Sequence, residues 1–552
     1  EEVEPRPLPL LGLGEDLGVQ FISRFEEELQ KGASRYDAVR AALCSAGPSI
    51  VTAGVTNAAA FFAMALSGFR GVTELGVIAG GGMLLATGAM LVLLPSLIMA
   101  VRRRREPTPT LAKAQASAAE AFLLRHPHVT VTVGVAFTIA ALWLGWRVEF
   151  DYNVLNLQSR GLESVDTELR LLRADAESTI YAAVVSDSLP ETRQLHHRLE
   201  KLPVVASVHS IAELIPEEQE PKVEIIREIR KRVGDVKFEL VPFQTDDVTS
   251  VQRALGSLRV RASQLEREAR DRHDASAEKV FKPLVETVQT TRDKIAAMDP
   301  AAAARALGEY ERRFFTDLQV QLQLLEHQAD RPMTVADVPP DLRRVLVGKT
   351  GKFLIRVFPR ENIWEREPLE EFVREVHNCA PKATGTPMGL YEFVDILQKG
   401  YIKAAIWAFF VIAIMVLVDL RGVFATILTL LPIVVGMIWM IGAMVMFGIK
   451  FNPANILTLP LMVGIGVAYG IYIVRRYRED GEPTIWAKST GRAVMLSALT
   501  SIIAFASLLI GAHRGIGSLG LVMCLGTGGC LIASLTIVPA LLEFARRKGW
   551  KV

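Results

Sequence analysis

Two adjacent carboxylic acids, Glu15 and Asp16, lie within the segment 8–22, which is otherwise apolar and rich in glycine. An ionisable side chain inside a membrane-spanning helix is costly, so it usually faces a partner or a water-filled path. A carboxyl group in such low-dielectric surroundings can gain and release a proton near neutral pH. We therefore interpret this pair as a candidate proton relay. The alternative is that both acids are the solvated start of a broken helix.

A second segment resembles the first but carries no acid. Residues 463–471 (VGIGVAYGI) align with residues 11–19 (LGLGEDLGV), and alanine stands at the position that matches Asp16. Tyr469 and Thr500 in the second copy are candidate polar partners for Asp16 in the relay. Each could equally make a lone interhelical hydrogen bond, and for Thr500 that alternative is favoured.

Glycines occupy equivalent places in the two segments. They are Gly14 and Gly18 in the first and Gly466 and Gly470 in the second. Small residues at this spacing let two helix backbones approach closely in lipid. We therefore expect the two glycine-rich helices to pack on each other.

The match between the two copies resumes after a charged loop and then keeps one constant offset. The paired residues are Gly47 with Gly491, Thr56 with Thr500, Phe61 with Phe505, Gly71 with Gly515, Leu75-Gly76 with Leu519-Gly520, Pro95 with Pro539 and Arg102 with Arg546. Both copies end on the same side in the same direction, which indicates parallel repeats about an axis along the membrane normal. The second copy is preceded by a leading helix, a large external segment and two more helices. We expect equivalents upstream of residue 1, so that the chain is N-terminally truncated.

Composition places the chain in a membrane. Half of its 552 residues are hydrophobic and the mean hydropathy is +0.28, which is too apolar for a soluble protein of this size. A bilayer core is crossed by about 20 apolar residues. The stretches that can cross it are 49–67, 72–101, 129–146, 404–418 with a short extension, 422–449, 451–474, 493–512 and 515–542.

Arginine and lysine are concentrated in alternate connections, at residues 24–40, 102–125, 475–492 and 546–551. Because basic loops stay in the cytoplasm, residues 149–400 are predicted to lie outside, in the periplasm of a diderm cell. This external segment contains the pattern strand, helix, strand twice. The six predicted elements are residues 179–185, 190–202, 204–210, 352–358, 364–378 and 383–385, with long helices predicted over 217–329. The pattern predicts two small α/β lobes with a helical insertion.

These boundaries give a domain plan. We expect residues 1–106 to form the last three helices of a first half (the first of them incomplete), 107–128 a cytoplasmic linker, 129–148 the first helix of a second half, 149–400 the periplasmic α/β domain, 401–545 five further helices, and 546–552 a cytoplasmic tail.

Several kinds of chemistry are not expected. No cysteine and histidine residues stand at metal-ligand spacing, and no Walker lysine loop is present. Of the four cysteines only Cys379 lies in the external segment, so no intramolecular disulfide is expected there. We expect no metal, no cofactor, no nucleic-acid partner and no enzymatic activity.

The chain resembles the RND superfamily, and within it the MMPL-like branch. Several segments are similar to hopanoid-biosynthesis-associated RND transporters: 150–157 (FDYNVLNL), 202–205 (LPVV), 215–219 (IPEEQ), 384–387 (TGTP) and 455–461 (NILTLPL). The resemblance implies an α-helical polytopic protein of the inner membrane, built as RND-type parallel repeats with a large α/β periplasmic porter-like domain. It also implies that the acid pair in the first glycine-rich helix carries a proton relay.

The resemblance further implies export of a membrane lipid, a hopanoid or similar molecule, driven by protons and carried out by a homodimer. Three alternatives remain: a drug or small-molecule efflux pump, a non-transporting sterol-sensing-like receptor or export accessory protein, and a nonfunctional fragment. Asp16 favours a transporter, since a pure sensor has no need of a buried titrating acid.

Overall fold

The computed structural model describes residues 8–101, 118–173, 178–233, 245–272, 274–326, 331–486, 488–550 and 552. Within them, eight helices are long and apolar enough to cross a membrane, and they confirm the eight predicted stretches. The chain divides into two compact units. The first joins Glu1–His209 to Lys352–Val552, and the second is Ser210–Gly351.

The described helices are α1 (Leu8–Gln30), α2 (Arg35–Ala63), α3 (Arg70–Ala100), α4 (Ala118–Arg125), α5 (Pro127–Gly145), α6 (Glu163–Arg173), α7 (Leu189–Glu200), α8 (Ile211–Leu214), α9 (Gln219–Val233), α10 (Thr245–Asp271), α11 (Ala275–Ala297), α12 (Pro300–Glu326), α13 (Pro340–Leu346), α14 (Arg366–Cys379), α15 (Thr386–Leu420), α16 (Val423–Met446), α17 (Thr458–Asp480), α18 (Ser489–Ala506) and α19 (Arg514–Arg547). The strands are β1 (Ala182–Ser186), β2 (Val205–His209), β3 (Phe353–Pro359) and β4 (Thr384–Gly385). The eight candidate spans are α2, α3, α5 and α15 to α19.

The internal repeat is visible in matching local geometry. Each copy consists of a helix, a single 3₁₀ turn and a second helix: α2 leads to α3, and α18 leads to α19. A Cβ atom on Gly76 would lie 2.4 Å from the carbonyl oxygen of Phe61, and one on Gly520 would lie 2.4 Å from that of Phe505. The four residues are the pairs that the sequence alignment matched. The structure therefore confirms this block of the repeat.

The glycines of α17 lie close to helices other than the predicted partner α1. A Cβ on Gly470 would lie 2.0 Å from the carbonyl oxygen of Thr429 on α16, and one on Gly466 would lie 3.0 Å from Sγ of Cys530 on α19. In α1, a Cβ on Gly18 would meet Sδ of Met90 on α3 at 3.1 Å. The prediction that the two glycine-rich helices pack on each other is therefore wrong for these three glycines.

The physical reason is that small residues mark where a neighbouring backbone comes close without identifying the neighbour. Helix α1 packs against α2, α3 and α18, whereas α17 packs against α2, α15, α16 and α19. The surroundings of Gly14 lie outside the part of α1 whose side chains are described.

The external strands form one sheet, not two lobes. Its strand order is β2-β3-β1-β4, and β1 and β2 both pair antiparallel with β3. Each predicted strand-helix-strand segment therefore contributes two strands to one shared sheet. The sequence of one segment does not show that its strands pair with strands of the other segment. Leu199 of α7 and Phe372 of α14 pack with Ile355 of β3 in its buried core.

The second unit is helical, as the sequence predicted for residues 217–329. Helix α10 packs against α11 and α12, and α12 also packs against α9. Val248, Ile295 and Ala303 form a small buried cluster within it.

We predict that Gly470→Ala destabilises the helix bundle, because the added methyl group would overlap the α16 backbone. Overpacking of this kind costs about 1–3 kcal/mol. The matched control is Gly528→Ala on α19, where no atom lies within 4 Å of the added Cβ. Thermal unfolding of the detergent-solubilised protein should show a lower Tm for Gly470→Ala only. Equal Tm values would show that α16 and α17 are not this close.

Candidate proton-relay site

Asp16 is buried inside the helix bundle, with 3% of its surface exposed. Helix α1 runs from Leu8 to Gln30 without interruption and so continues for about two turns on the N-terminal side of the acid. The acids are therefore not the start of a broken helix. Glu15 is half-buried beside Asp16, and Leu17 and Phe21 of the same helix are fully buried.

Two tyrosines of α17 lie near the carboxylate of Asp16. Tyr469 and Tyr472 are both buried, and both phenol groups are close enough to interact electrostatically with Asp16. Helix α17 thus brings the predicted partner Tyr469 to the acid, together with Tyr472, which the sequence analysis did not select. The signal that could have identified Tyr472 is its position, one turn after Tyr469 in an otherwise apolar helix.

Serines, and not the predicted threonine, extend from α18 toward this group. Ser497 faces Asp16 and Ser501 faces Tyr469. The hydroxyl of Thr500 instead donates to the backbone oxygen of Ser497 at 2.8 Å. Its counterpart in the first copy, Thr56, likewise donates to its own helix. Thr500 therefore bonds within α18, and this is neither a contact with Asp16 nor the interhelical hydrogen bond that was its favoured alternative.

Many buried polar atoms around Asp16 have no hydrogen-bond partner. They are Oδ1 of Asp16, Nε2 of Gln20, the hydroxyls of Tyr469 and Tyr472, and Oγ of Ser497 and Ser501. Proteins bury few polar atoms in this way, and a concentration of them calls for a functional explanation. A carboxylate surrounded by hydroxyl and amide groups can accept a proton, hold it and pass it on. Among the described residues, no group of histidine, cysteine and acidic side chains is arranged to hold a metal ion.

Comparison with known sequences decides the family. The profile of the MMPL family matches residues 8–143 and 364–552, which is more than half of the chain. The chain belongs to the MMPL family. It is a multi-pass membrane protein, and the resemblance stated from the sequence is confirmed.

Individual relatives of this MMPL chain are named as hopanoid transporters. The hopanoid transporter HpnN of Rhodopseudomonas palustris (strain TIE-1) is 30% identical over 534 residues, which cover 96% of this chain and 60% of that protein. HpnN of Burkholderia multivorans is 29% identical over 547 residues, covering 98% of this chain and 60% of that protein. The chain thus spans 60% of the length of these relatives. Among solved structures, SecDF of Thermus thermophilus, a translocon-associated membrane protein, aligns with a TM-score of 0.48 at 13% identity, over 98% of this chain and 54% of that one.

An ion-pair cluster joins the two halves of the MMPL chain near the C-terminal ends of α1 and α17. Nη2 of Arg476 on α17 donates to Glu27 of α1 at 2.7 Å, and Ser489 of α18 also donates to Glu27. Lys31 lies 2.9 Å from the same carboxylate, and Nε of Arg476 lies 2.7 Å from Asp480. The sequence contains no indication of this cluster, since pairing between the ends of distant helices leaves no periodic signal.

A second charged contact ties three helices together. Arg475 of α17 donates to Asp419 at the end of α15 and to the hydroxyl of Thr52 on α2 at 3.3 Å. Helix α15 and the first half are therefore both attached to α17 near its C-terminal end.

The linker before α5 also contacts the second half. Glu120 of α4 is buried, and its Oε1 accepts the backbone N–H groups of Ile485 at 2.6 Å and of Trp486 at 2.8 Å. These residues belong to the loop between α17 and α18. The linker thus holds the loop that follows the second glycine-rich helix.

We predict that Glu27→Gln weakens the attachment between the halves. Hydrogen bonds to charged groups contribute about 1.5–3 kcal/mol, and Arg476 would retain Asp480 as a partner. Glu26→Gln is the matched control, since Glu26 is exposed on the same helix turn. Thermal unfolding in detergent should show a lower Tm for Glu27→Gln than for Glu26→Gln. If both variants unfold like the parent protein, the cluster does not stabilise the bundle.

Proposed function

We propose that this protein uses the proton motive force to export a hydrophobic lipid of the hopanoid type from the inner membrane toward the outer membrane. The observation that carries the proposal is Asp16, a carboxylate buried between the two halves and surrounded by unpaired hydroxyl groups. Relatives at about 30% identity over nearly the whole chain are named hopanoid transporters, which supports the cargo.

The mechanism follows from the two charge states of Asp16. An ionised carboxylate in a low-dielectric bundle needs donors such as Ser497 and Tyr469 to approach it, whereas the protonated form needs them less. Proton binding therefore changes the balance of contacts between α1 on one side and α17 and α18 on the other. Two parallel repeats that rock about a membrane-normal axis can convert this change into alternating access.

The remaining predicted site residues take supporting places in this proposal. We assign Tyr469, whose phenol group interacts electrostatically with Asp16, the role of assisting proton exchange. Glu15 adds a second carboxylate beside the first, so its charge influences how readily Asp16 ionises. Thr500 has no direct part, because its hydroxyl already bonds within α18.

The surroundings of the relay fit the same function. The positive-inside rule favours a cytoplasmic location for the basic segments that begin near Arg24 and Arg476, at the ends of α1 and α17. Residues 149–400 would then lie in the periplasm. Protons would move inward past Asp16 while the lipid moves outward. We further propose that two copies assemble, so that their periplasmic domains form a shared conduit.

We predict that Asp16→Asn abolishes lipid export without lowering expression, because asparagine has nearly the same shape and cannot take up and release a proton at neutral pH. Asp16→Glu should retain part of the activity, since it keeps the carboxyl group. Glu15→Gln should reduce export less than Asp16→Asn does. The measurement is the hopanoid content of separated inner and outer membranes from cells that carry each variant of the intact gene.

Normal hopanoid distribution in the Asp16→Asn strain would contradict the proton-driven mechanism. Unchanged hopanoid distribution in a deletion strain, together with increased sensitivity to drugs, would favour the efflux alternative. Loss of hopanoid export that Asp16→Glu fails to restore at all would indicate that the site tolerates no change of length.

The proposed assembly predicts a mass of two copies. Native mass spectrometry of the intact protein, released from lipid nanodiscs, should give a dimer as the main species. A single copy at all protein concentrations would exclude the shared conduit, without affecting the role of Asp16.

A further inference from the structure

A small cavity lies between α1, α2, α17 and α18, on the cytoplasmic side of Asp16. Its volume is about 30 Å³, and its walls include Gln20, Arg24, Ser45, Ser49, Tyr472 and Glu479. A polar cavity needs roughly 10–15 Å³ of this volume to hold a water molecule. The cavity is therefore large enough for water, and its lining is polar on all four helices.

The cavity continues a line of polar residues that begins at Asp16. On α1, Gln20 and Arg24 follow Asp16 at intervals of four residues, so the three side chains share one helix face. On α17, Tyr472 and Glu479 follow Tyr469 at intervals of three and then seven residues, which also keeps the three side chains on one face. The two polar faces start at the buried carboxylate and end at the cytoplasmic ends of their helices.

The polar atoms along this line are buried and unpaired. Nε2 of Gln20, Nε of Arg24, Oγ of Ser45 and the hydroxyl of Tyr472 lack hydrogen-bond partners. Only 5% of the surface of Gln20 is exposed. Apolar side chains at these positions would pack as well without this cost, so the atoms are suited to binding water.

The charged groups at and next to the cavity are paired with one another, and Glu479 has the longest of these contacts. Arg24, Arg476 and Glu479 line it, Glu27 pairs with both arginines, and Asp480 pairs with Arg476 and Lys488. The carboxylate of Glu479 has only a long contact of 3.9 Å to Arg476. It is therefore the acidic group most available to accept a proton at the cytoplasmic mouth.

We propose that this cavity is the cytoplasmic branch of the proton path, an inference that rests on the proposed function of Asp16. The O–H bond of the Asp16 carboxyl group breaks and leaves a carboxylate. The proton passes to water held by Gln20 and Tyr472. Glu479 accepts it at the mouth and releases it to the cytoplasm.

The first test measures whether water reaches the cavity from the cytoplasm. Silver ions are small, cannot cross lipid and react with thiols. Ser45→Cys and Ser49→Cys are made in a background whose four native cysteines are replaced by alanine or serine. In inside-out vesicles in chloride-free buffer, silver should block later maleimide labelling of both variants after denaturation. In right-side-out vesicles it should not.

Val51→Cys is the matched control, because Val51 is exposed on the outer surface of the same helix. In hydrocarbon its thiol should escape silver from either side. If Ser45→Cys and Ser49→Cys are no more reactive than Val51→Cys from the cytoplasmic side, the water-filled branch does not exist. Two labelled positions keep the test valid if one variant fails to fold.

The second test separates this inference from the proposed function. Tyr472→Phe removes one hydroxyl and keeps the ring, so it should impair hopanoid export while the protein remains monodisperse in detergent. If Asp16→Asn abolishes export but Tyr472→Phe and Glu479→Gln both export normally, the branch is wrong and the function stands. If Asp16→Asn exports normally, the proposed function fails, whatever the silver test shows.

Discussion

The structure depends on one constraint, the burial of a carboxyl group in the middle of a helix bundle. Such a group is tolerated only where polar groups or water can meet it. Leu17 and Phe21 hold α1 against its neighbours by burying fully, which fixes the direction in which Asp16 points. The residues that it meets, from α17 and α18, are hydroxyls and not cations. A cation would keep the acid permanently charged, whereas hydroxyl groups can accommodate both protonation states.

The two halves are related by a repeat but divide the work between them. Helix α17 uses its glycine face to approach α16 and α19, which leaves its tyrosine face toward α1. The first copy has the acid and the second copy has the phenols, so Asp16 and the two tyrosines meet only at the interface between the copies. The cluster of Glu27 and Arg476 crosses the same interface, about three helical turns further along α1. The buried acid and the ion pairs between the halves therefore lie along the same two helices.

Sequence alone predicted the eight spans, the repeat and the burial of Asp16, because each rests on a local pattern or on alignment of the chain with itself. It did not predict contacts that depend on three-dimensional proximity. Gly470 indicated that the backbone of another helix would come close to α17, but it did not indicate that this would be the backbone of α16 at Thr429. Ser497 was overlooked in favour of Thr500, although the two lie within one helical turn. Glu120 was missed because nothing in an amphipathic linker indicates a distant loop as its partner.

Helix α15 connects the helices around the buried acid to the sheet that precedes it in the chain. It begins directly after β4, at the edge of the external sheet, and continues as one helix of 35 residues to Leu420. Near its C-terminal end Asp419 is bonded to Arg475 of α17. Near its N-terminal end the guanidinium group of Arg366 lies 4.4 Å from the ring centre of Tyr391 on α15. One continuous helix therefore links α17, whose tyrosines lie near Asp16, to the edge of the sheet.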